Sequence, residues 1–202
     1  MRTLLNVTGV LAIIAAPIAL VAIHKRTEAA AGTIAPQIEN TDRINYPVGR
    51  YPALWMPDRK KELIKSLLNS RRPIRFGDYV WNDVGVPTGP VWVRVDLSRQ
   101  TLSIFRGGNE IGTTVVLFGT DGKPTPRGVF PVLAKAEVHR SSLYDADMPF
   151  MLRLTGDGVA IHASRVREGS ATHGCVGVPF EFARLLYGQI SPGDRVVIVG
   201  KS

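Results

Sequence analysis

Val159-Ala160-Ile161-His162-Ala163-Ser164 and, after a polar loop, Ala171-Thr172-His173-Gly174-Cys175-Val176-Gly177-Val178-Pro179 form the stretch on which the reading of this chain turns. The short apolar run Val159 to Ile161 predicts a strand that would carry His162 on a rigid element. The stretch also holds the chain's single cysteine and two of its four histidines. A thiol attacks as the thiolate, and with an ordinary pKa of about 8.5 little of it is ionised at neutral pH. A nucleophilic cysteine therefore needs an imidazole or converging amide dipoles beside it, and this stretch offers both. Gly174 and Gly177 bracket Cys175 and let the backbone approach a substrate closely, as an oxyanion hole of amide N–H groups requires.

Outward from this stretch the chain reads as predominantly strand. Val91 to Leu97 and Thr101 to Phe105 are separated by the hairpin signal Ser98-Arg99-Gln100, and Gly107-Gly108-Asn109 marks the turn before Ile111 to Phe118. Val129 to Lys135, Met151 to Leu154 and Arg195 to Val199 continue the pattern, with one clear helix from Pro179 to Tyr187 whose N-terminal dipole faces the cysteine loop. Short β-rich runs punctuated by Gly and Pro predict a mainly β domain, a β-sandwich or barrel-like fold with one or two short helices. Asp58 to Leu68 reads as one of these, with Leu63, Ile64, Leu67 and Leu68 on one side and Lys60, Lys61 and Lys65 on the other.

A chain of 202 residues has room for one ordinary domain with appendages. Lys and Arg exceed Asp and Glu by 25 to 17, giving a net charge of +8 spread along the chain. That balance favours polyanions such as cell-wall polymers or an anionic membrane surface, and no nucleic-acid motif accompanies it. Leu4 to Ile23 is almost wholly apolar, flanked by Arg2 and by Lys25-Arg26, and predicts an N-terminal hydrophobic helix of about the 20 residues that span a bilayer. Residues 1–26 are thus expected to be a signal anchor, with a cleavable signal peptide as the alternative because of Ala29-Ala30-Ala31. Residues 27–74, with Pro36, Pro47, Gly49 and Pro52, read as a linker and short helix ahead of a domain over 75–202. An unpaired cysteine in an exported, periplasmic or cell-envelope protein has no disulfide partner and is a candidate reactive group.

The strand-borne histidine followed by Thr172-His173-Gly174-Cys175 resembles the signature of the L,D-transpeptidase catalytic domain family, cysteine enzymes that remodel peptidoglycan. The likeness extends through Val91-Trp92-Val93-Arg94-Val95-Asp96-Leu97, Gln100-Thr101-Leu102-Ser103-Ile104-Phe105 and Pro124-Thr125-Pro126-Arg127-Gly128-Val129-Phe130, covering roughly residues 75 to 200. It implies Cys175 as nucleophile, His162 as general base with its imidazole held by the backbone carbonyl of Ala163, and His173 at the site. It implies the amides of Gly174 and Cys175 as oxyanion donors, and peptidoglycan stem peptides as substrates. The reaction expected is acyl transfer through a thioester, with an L,D-carboxypeptidase using water, or a catalytically weakened membrane-tethered wall-binding protein, as alternatives. No cofactor is implied, and a monomer is expected. Two departures stand out: the loop between His162 and Thr172 is short, and Gly177 stands where the family generally carries Asn or Arg.

Further residues are weighed at the rim. Thr172, Gly177, Tyr144 and Arg127 are candidate substrate contacts. Val138 to Asp147, with His139 and Tyr144, reads as a solvated connection in preference to a lid. Pro124-Thr125-Pro126-Arg127-Gly128 reads as a turn that fixes entry to the next strand. Zinc held by His162, His173 and Cys175 is the rival account of the same side chains, and the absence of any CxxC or HExxH spacing sets it aside in favour of no metal.

Overall fold

The structure is a computed structural model, and it describes residues 42–120, 122–142 and 144–201. The expected N-terminal hydrophobic helix and the first part of the expected linker, residues 27–41, lie outside the described residues. Among the described residues no helix is long and apolar enough to cross a membrane.

In chain order the strands are β1 (Asp42–Asn45), β2 (Ala53–Trp55), β3 (Lys61–Leu63), β4 (Ser66–Asn69), β5 (Tyr79–Trp81), β6 (Val91–Asp96) and β7 (Thr101–Arg106). They continue as β8 (Asn109–Val115), β9 (Gly128–Pro131), β10 (Ala134–Ala136), β11 (Met151–Arg153), β12 (Ala160–Ala163) and β13 (Val176–Val178). Helix α1 (Phe180–Gln189) and β14 (Arg195–Val199) complete the order. The larger sheet runs β1-β4-β8-β7-β6-β14-β9, with β5 also paired to β8; the smaller runs β10-β11-β12-β13. The expected mainly β architecture is what forms.

Alternation along the strands builds the core. Val93 and Val95 of β6, Leu102 and Ile104 of β7 and Val196 and Ile198 of β14 turn to one face of the larger sheet. They meet Leu152, Ile161, Val176 and Val178 of the smaller sheet and Phe182 and Leu186 of α1. Each such side chain contributes about 1.5–3 kcal/mol when fully buried. The hairpin predicted at Ser98-Arg99-Gln100 forms, with Gln100 at φ 57° and the Arg99 N–H donated to Asp96 at 3.2 Å.

The helix predicted over Asp58 to Leu68 does not form. The segment gives β3, a turn and β4 instead, and Arg59 at φ 63° makes the tight reversal between β2 and β3. The two-residue spacing of Ile64, Ser66 and Leu68, all buried, outweighs the helical spacing of the leucines. The other face of β6, β7 and β14 explains why: it presents Trp92 stacked on Phe105 at 4.4 Å, together with Val197, and Met56 and Ile64 cover them. The described residues 42–69 are therefore not a spacer; β1 and β4 extend the larger sheet while the β2-β3 hairpin covers an apolar face.

Buried polar groups tie this segment to β8. The Glu110 carboxylate accepts the Leu68 N–H at 2.8 Å, and burial pushes its pKa above the usual carboxylate range. The Arg43 guanidinium donates to Ser66 Oγ at 3.0 Å, to the Glu110 carbonyl at 2.6 Å and to the Asn82 carbonyl. Glu110→Ala leaves the Leu68 N–H buried without its acceptor, and is expected to cost about 1–3 kcal/mol in urea denaturation. Hydrogen exchange should show the loss of protection concentrated in residues 66–69.

Candidate active site

The site is built on the parallel pairing of β12 with β13, in which Ile161 faces Val176, His162 faces Gly177 and Ala163 faces Val178. Ile161, Ala163, Val176 and Val178 point into the core. Strand alternation therefore sends His162, Cys175 and Gly177 to the opposite face. Cys175 sits immediately before β13, beside Met148, Met151 and Ala160.

The cysteine loop is held by its neighbours' backbone. Gly174 has φ 104°, a left-handed conformation that glycine adopts without a Cβ clash. The Thr172 hydroxyl donates to the Cys175 carbonyl at 2.5 Å, and the Thr172 N–H donates to the Phe118 carbonyl at 3.0 Å. Buried Thr125 accepts the Gly119 N–H at 2.9 Å and donates to the Gly174 carbonyl at 3.0 Å. At Gly119 an added Cβ would lie 2.1 Å from the Lys123 carbonyl oxygen and 2.7 Å from Gly174 Cα, so only glycine fits. Because the Gly174 carbonyl points at Thr125 and the peptide is trans, the Cys175 N–H is directed away from Thr125.

His162 Nδ1 lies 2.8 Å from the Ala163 carbonyl oxygen. A carbonyl can only accept, so Nδ1 carries the proton, and in the neutral ring Nε2 is left as the base. Burial lowers the His162 pKa, the hydrogen bond to Ala163 opposes this, and the charge of His139 adds to the lowering. Burial raises the Cys175 thiol pKa; the backbone of Ala160 and the positive charge of Lys123 oppose the rise and Asp157 reinforces it. The thiol lies 3.8 Å from the Gly158 carbonyl oxygen, its proton satisfied without the imidazole. At rest, then, the pair is thiol and neutral imidazole.

His162, His173, Cys175, Thr172, Tyr144 and Lys123 share the wall of one cavity of about 530 Å³. The Val138–Asp147 stretch is more than a solvated connection. His139 and Tyr144 line this cavity, Tyr144 stacks on His173 with ring centroids 4.6 Å apart, and Lys123 Nζ donates to Tyr144 Oη at 2.7 Å. Arg140 braces the stretch through ion pairs with Asp145 at 2.7 Å and Asp147 at 2.8 Å.

Four sequence candidates are not on the cavity wall: Ala163 and Gly174, both buried, and Arg127 and Gly177. Arg127 is exposed and reaches the Gly200 carbonyl at 3.5 Å. Gly177 is buried within β13, where an added Cβ would lie 2.9 Å from both Cβ and Oγ of Ser164. Ser164 thus fills the space that a side chain at 177 would need. The dipole of α1 also stands apart from the thiol, since β13 intervenes and puts about 10 Å of extended chain between them. Among the described residues no group of three or more His, Cys, Asp or Glu side chains is placed to hold a metal ion. Sequence reasoning missed Gly119 and Lys123, and took Thr125 for turn chemistry; its one clue was a threonine between two prolines.

Residues 90–198 match the family model described as YkuD, L,D-transpeptidase catalytic domain. The chain is 24% identical over 134 residues to L,D-transpeptidase 1 of Mycobacterium tuberculosis, covering 57% of this chain and 53% of that protein. It therefore spans about half the length of this curated relative. Among solved structures it is similar to an L,D-transpeptidase from Stackebrandtia nassauensis, with 28% identity, a TM-score of 0.52, and 57% of this chain and 58% of the other covered. The fold is also shared with an L,D-transpeptidase from Mycobacterium smegmatis, at 20% identity and a TM-score of 0.52 over 79% of this chain and 82% of the other.

Two outcomes follow from the geometry. Gly177→Asn drives a side chain into Ser164 and should cost about 1–3 kcal/mol in denaturant unfolding, with Ser164→Gly restoring part of it in the double variant. Because the resting thiol pKa is raised, the thiolate fraction at pH 7 is below that of free cysteine. The rate of iodoacetamide alkylation at Cys175 should therefore still be climbing above about pH 8.5, whereas a plateau below pH 7 would contradict the neutral pair.

Proposed function

The chain belongs to the L,D-transpeptidase catalytic domain family, and from that premise we propose that it catalyses cysteine-dependent acyl transfer on peptidoglycan stem peptides. The observation that carries the reading is the placement of His162 and Cys175 on one cavity wall, with Nδ1 of the imidazole committed to Ala163 and Nε2 basic. In the first half-reaction His162 Nε2 takes the thiol proton as Cys175 Sγ attacks the carbonyl of an L,D peptide bond in a tetrapeptide stem. The oxyanion is received by the amides of Cys175 and Gly174, oriented by the hold of Thr125 and Thr172 on the loop. Collapse breaks the C–N bond, the imidazolium gives its proton to the departing amine of the terminal D-residue, and a thioester remains. In the second half-reaction the amine of another stem attacks the thioester, His162 takes its proton, a C–N bond replaces the C–S bond, and the thiol is restored.

If water replaces the amine, the product is a trimmed tripeptide and the activity is that of an L,D-carboxypeptidase; the thioester is common to both. This substrate lies outside the cytoplasm, so the reading places the domain in the cell envelope, with Leu4 to Ile23 serving export or anchoring.

Intact-mass analysis after incubation with a disaccharide-tetrapeptide tests the proposal. The wild-type protein should carry an acyl group lacking the terminal D-residue, and should yield a cross-linked dimer or a tripeptide. His162→Gln should slow acylation by about 10²–10⁴-fold. Cys175→Ala should show neither adduct nor product, and a folded Cys175→Ala protein with full activity would overturn the assignment. A carbapenem should give a mass adduct that the same substitution removes.

A further inference from the structure

We propose that Lys123 is a specificity-determining residue that binds a substrate carboxylate beside the nucleophile, confining the reaction to bonds whose departing residue ends in a free carboxylate. The inference rests on the acyl-transfer reading for its peptide substrate, but the anion site itself follows from the wall of the cavity.

That wall carries two permanent cations, Lys123 and Arg153. Arg153 is already engaged, its guanidinium donating to the Thr155 carbonyl at 3.1 Å and the Gly156 carbonyl at 2.7 Å. Lys123 spends one of its three N–H donors on Tyr144 Oη, and among the described residues it forms no ion pair. The acid on the wall, Asp157, accepts the Thr155 hydroxyl and feels Lys123 only through space. Lys123 is therefore a solvent-reached ammonium with donors to spare.

Its position relative to the chemistry is fixed by the loop. The Lys123 Cγ lies 3.7 Å from where a Cβ of Gly174 would stand, so the side chain leaves the backbone directly over the residue before the nucleophile. Its charge also acts on the Cys175 thiol itself. Tyr144, stacked on His173 and lying 5.2 Å from Lys123 Nζ at its ring centroid, holds one N–H of the exposed ammonium at the cavity rim. A carboxylate one residue beyond the attacked carbonyl is only about one Cα–Cα step, ~3.8 Å, from the reacting carbon. A lysine whose stem passes Gly174 and whose ammonium is held by Tyr144 on the same cavity wall can reach toward it. An amidated end loses the charge, and an extended end moves it a residue further away.

Iodoacetate and iodoacetamide test the anion site without any peptide. They are close in size, both alkylate Cys175, and differ in charge. Any effect of Lys123 on the thiol pKa changes both rates together and cancels in their ratio. The iodoacetate-to-iodoacetamide rate ratio at Cys175, followed by intact mass at low salt on the full chain, should fall about tenfold in Lys123→Met and stay near wild type in Lys123→Arg. With disaccharide-tetrapeptides, the wild-type kcat/KM should favour the free acid over the C-terminal amide by about 10–100-fold, and Lys123→Met should abolish that preference. An unchanged haloacetate ratio, or an acid-to-amide preference that survives Lys123→Met, overturns the proposal while leaving the acyl-transfer reading intact. A haloacetate ratio that depends on Lys123 in a protein that turns over neither peptide supports the anion site and overturns the peptidoglycan reading instead.

Discussion

The parallel register of β12 on β13 is the constraint on which the site depends. Strands pair about 4.8 Å apart, and alternate residues leave opposite faces. With His162 opposite Gly177, His162 and Cys175, the residue preceding β13, emerge on the same face. A slip of one residue would turn His162 into the core and the core residues toward the cavity. Ile161, Ala163, Val176 and Val178 prevent it, because each side chain would leave the interior together. The hydrophobic alternation that closes the core is thus also what brings His162 and Cys175 to one face. Paired N–H to C=O bonds between Gly177 and Leu117, each 2.9 Å, pin the far side of β13 to the chain leaving β8.

The electrostatics of that pair suit a nucleophile that is activated on demand. Burial against Met148, Met151 and Ala160 disfavours the thiolate, and burial also disfavours the imidazolium. A standing ion pair would make Cys175 reactive toward any oxidant that entered the cavity, since oxidation follows thiolate character. In the proposed reaction, a neutral pair defers proton transfer until a substrate carbonyl is in place. Ala163 enforces the arrangement by fixing the tautomer, a task for which its backbone alone is needed.

Much of this was legible in the sequence because strong local signals and tertiary packing agreed. The strand carrying His162, the hairpin at Ser98-Arg99-Gln100 and the helix after Pro179 follow from short-range patterns, while the hold of Ala163 on the imidazole was implied by the family resemblance. Where a local pattern competed with a long-range one, the reading failed. The leucines of residues 58–68 are spaced for a helix, but the exposed apolar face of β6, β7 and β14 needed a cover, and no local signal reveals that need. Thr125 was hidden for a similar reason. Its partner, the Gly174 carbonyl, lies 49 residues away along the chain. Gly177 looked like a lost substrate contact because the sequence does not show that Ser164, two residues beyond His162, occupies the adjoining space.

That occupation bears on how the site divides its work. With β13 closed off by Ser164, the polar groups free to meet a substrate come from elsewhere: Lys123 from the connection after β8, and His139 and Tyr144 from the connection between β10 and β11. His162 stands on β12 and Cys175 immediately before β13, in a register the core fixes, while the groups around them stand on connections that tolerate substitution and changes in length. A change at Lys123 or Tyr144 alters what the cavity admits without moving His162 relative to Cys175. A change at Gly119, Thr125 or Gly177 strikes the frame itself, because backbone contacts there leave no room for adjustment. Substitutions in the connections can therefore change what the cavity admits while the placement of His162 and Cys175 stays put.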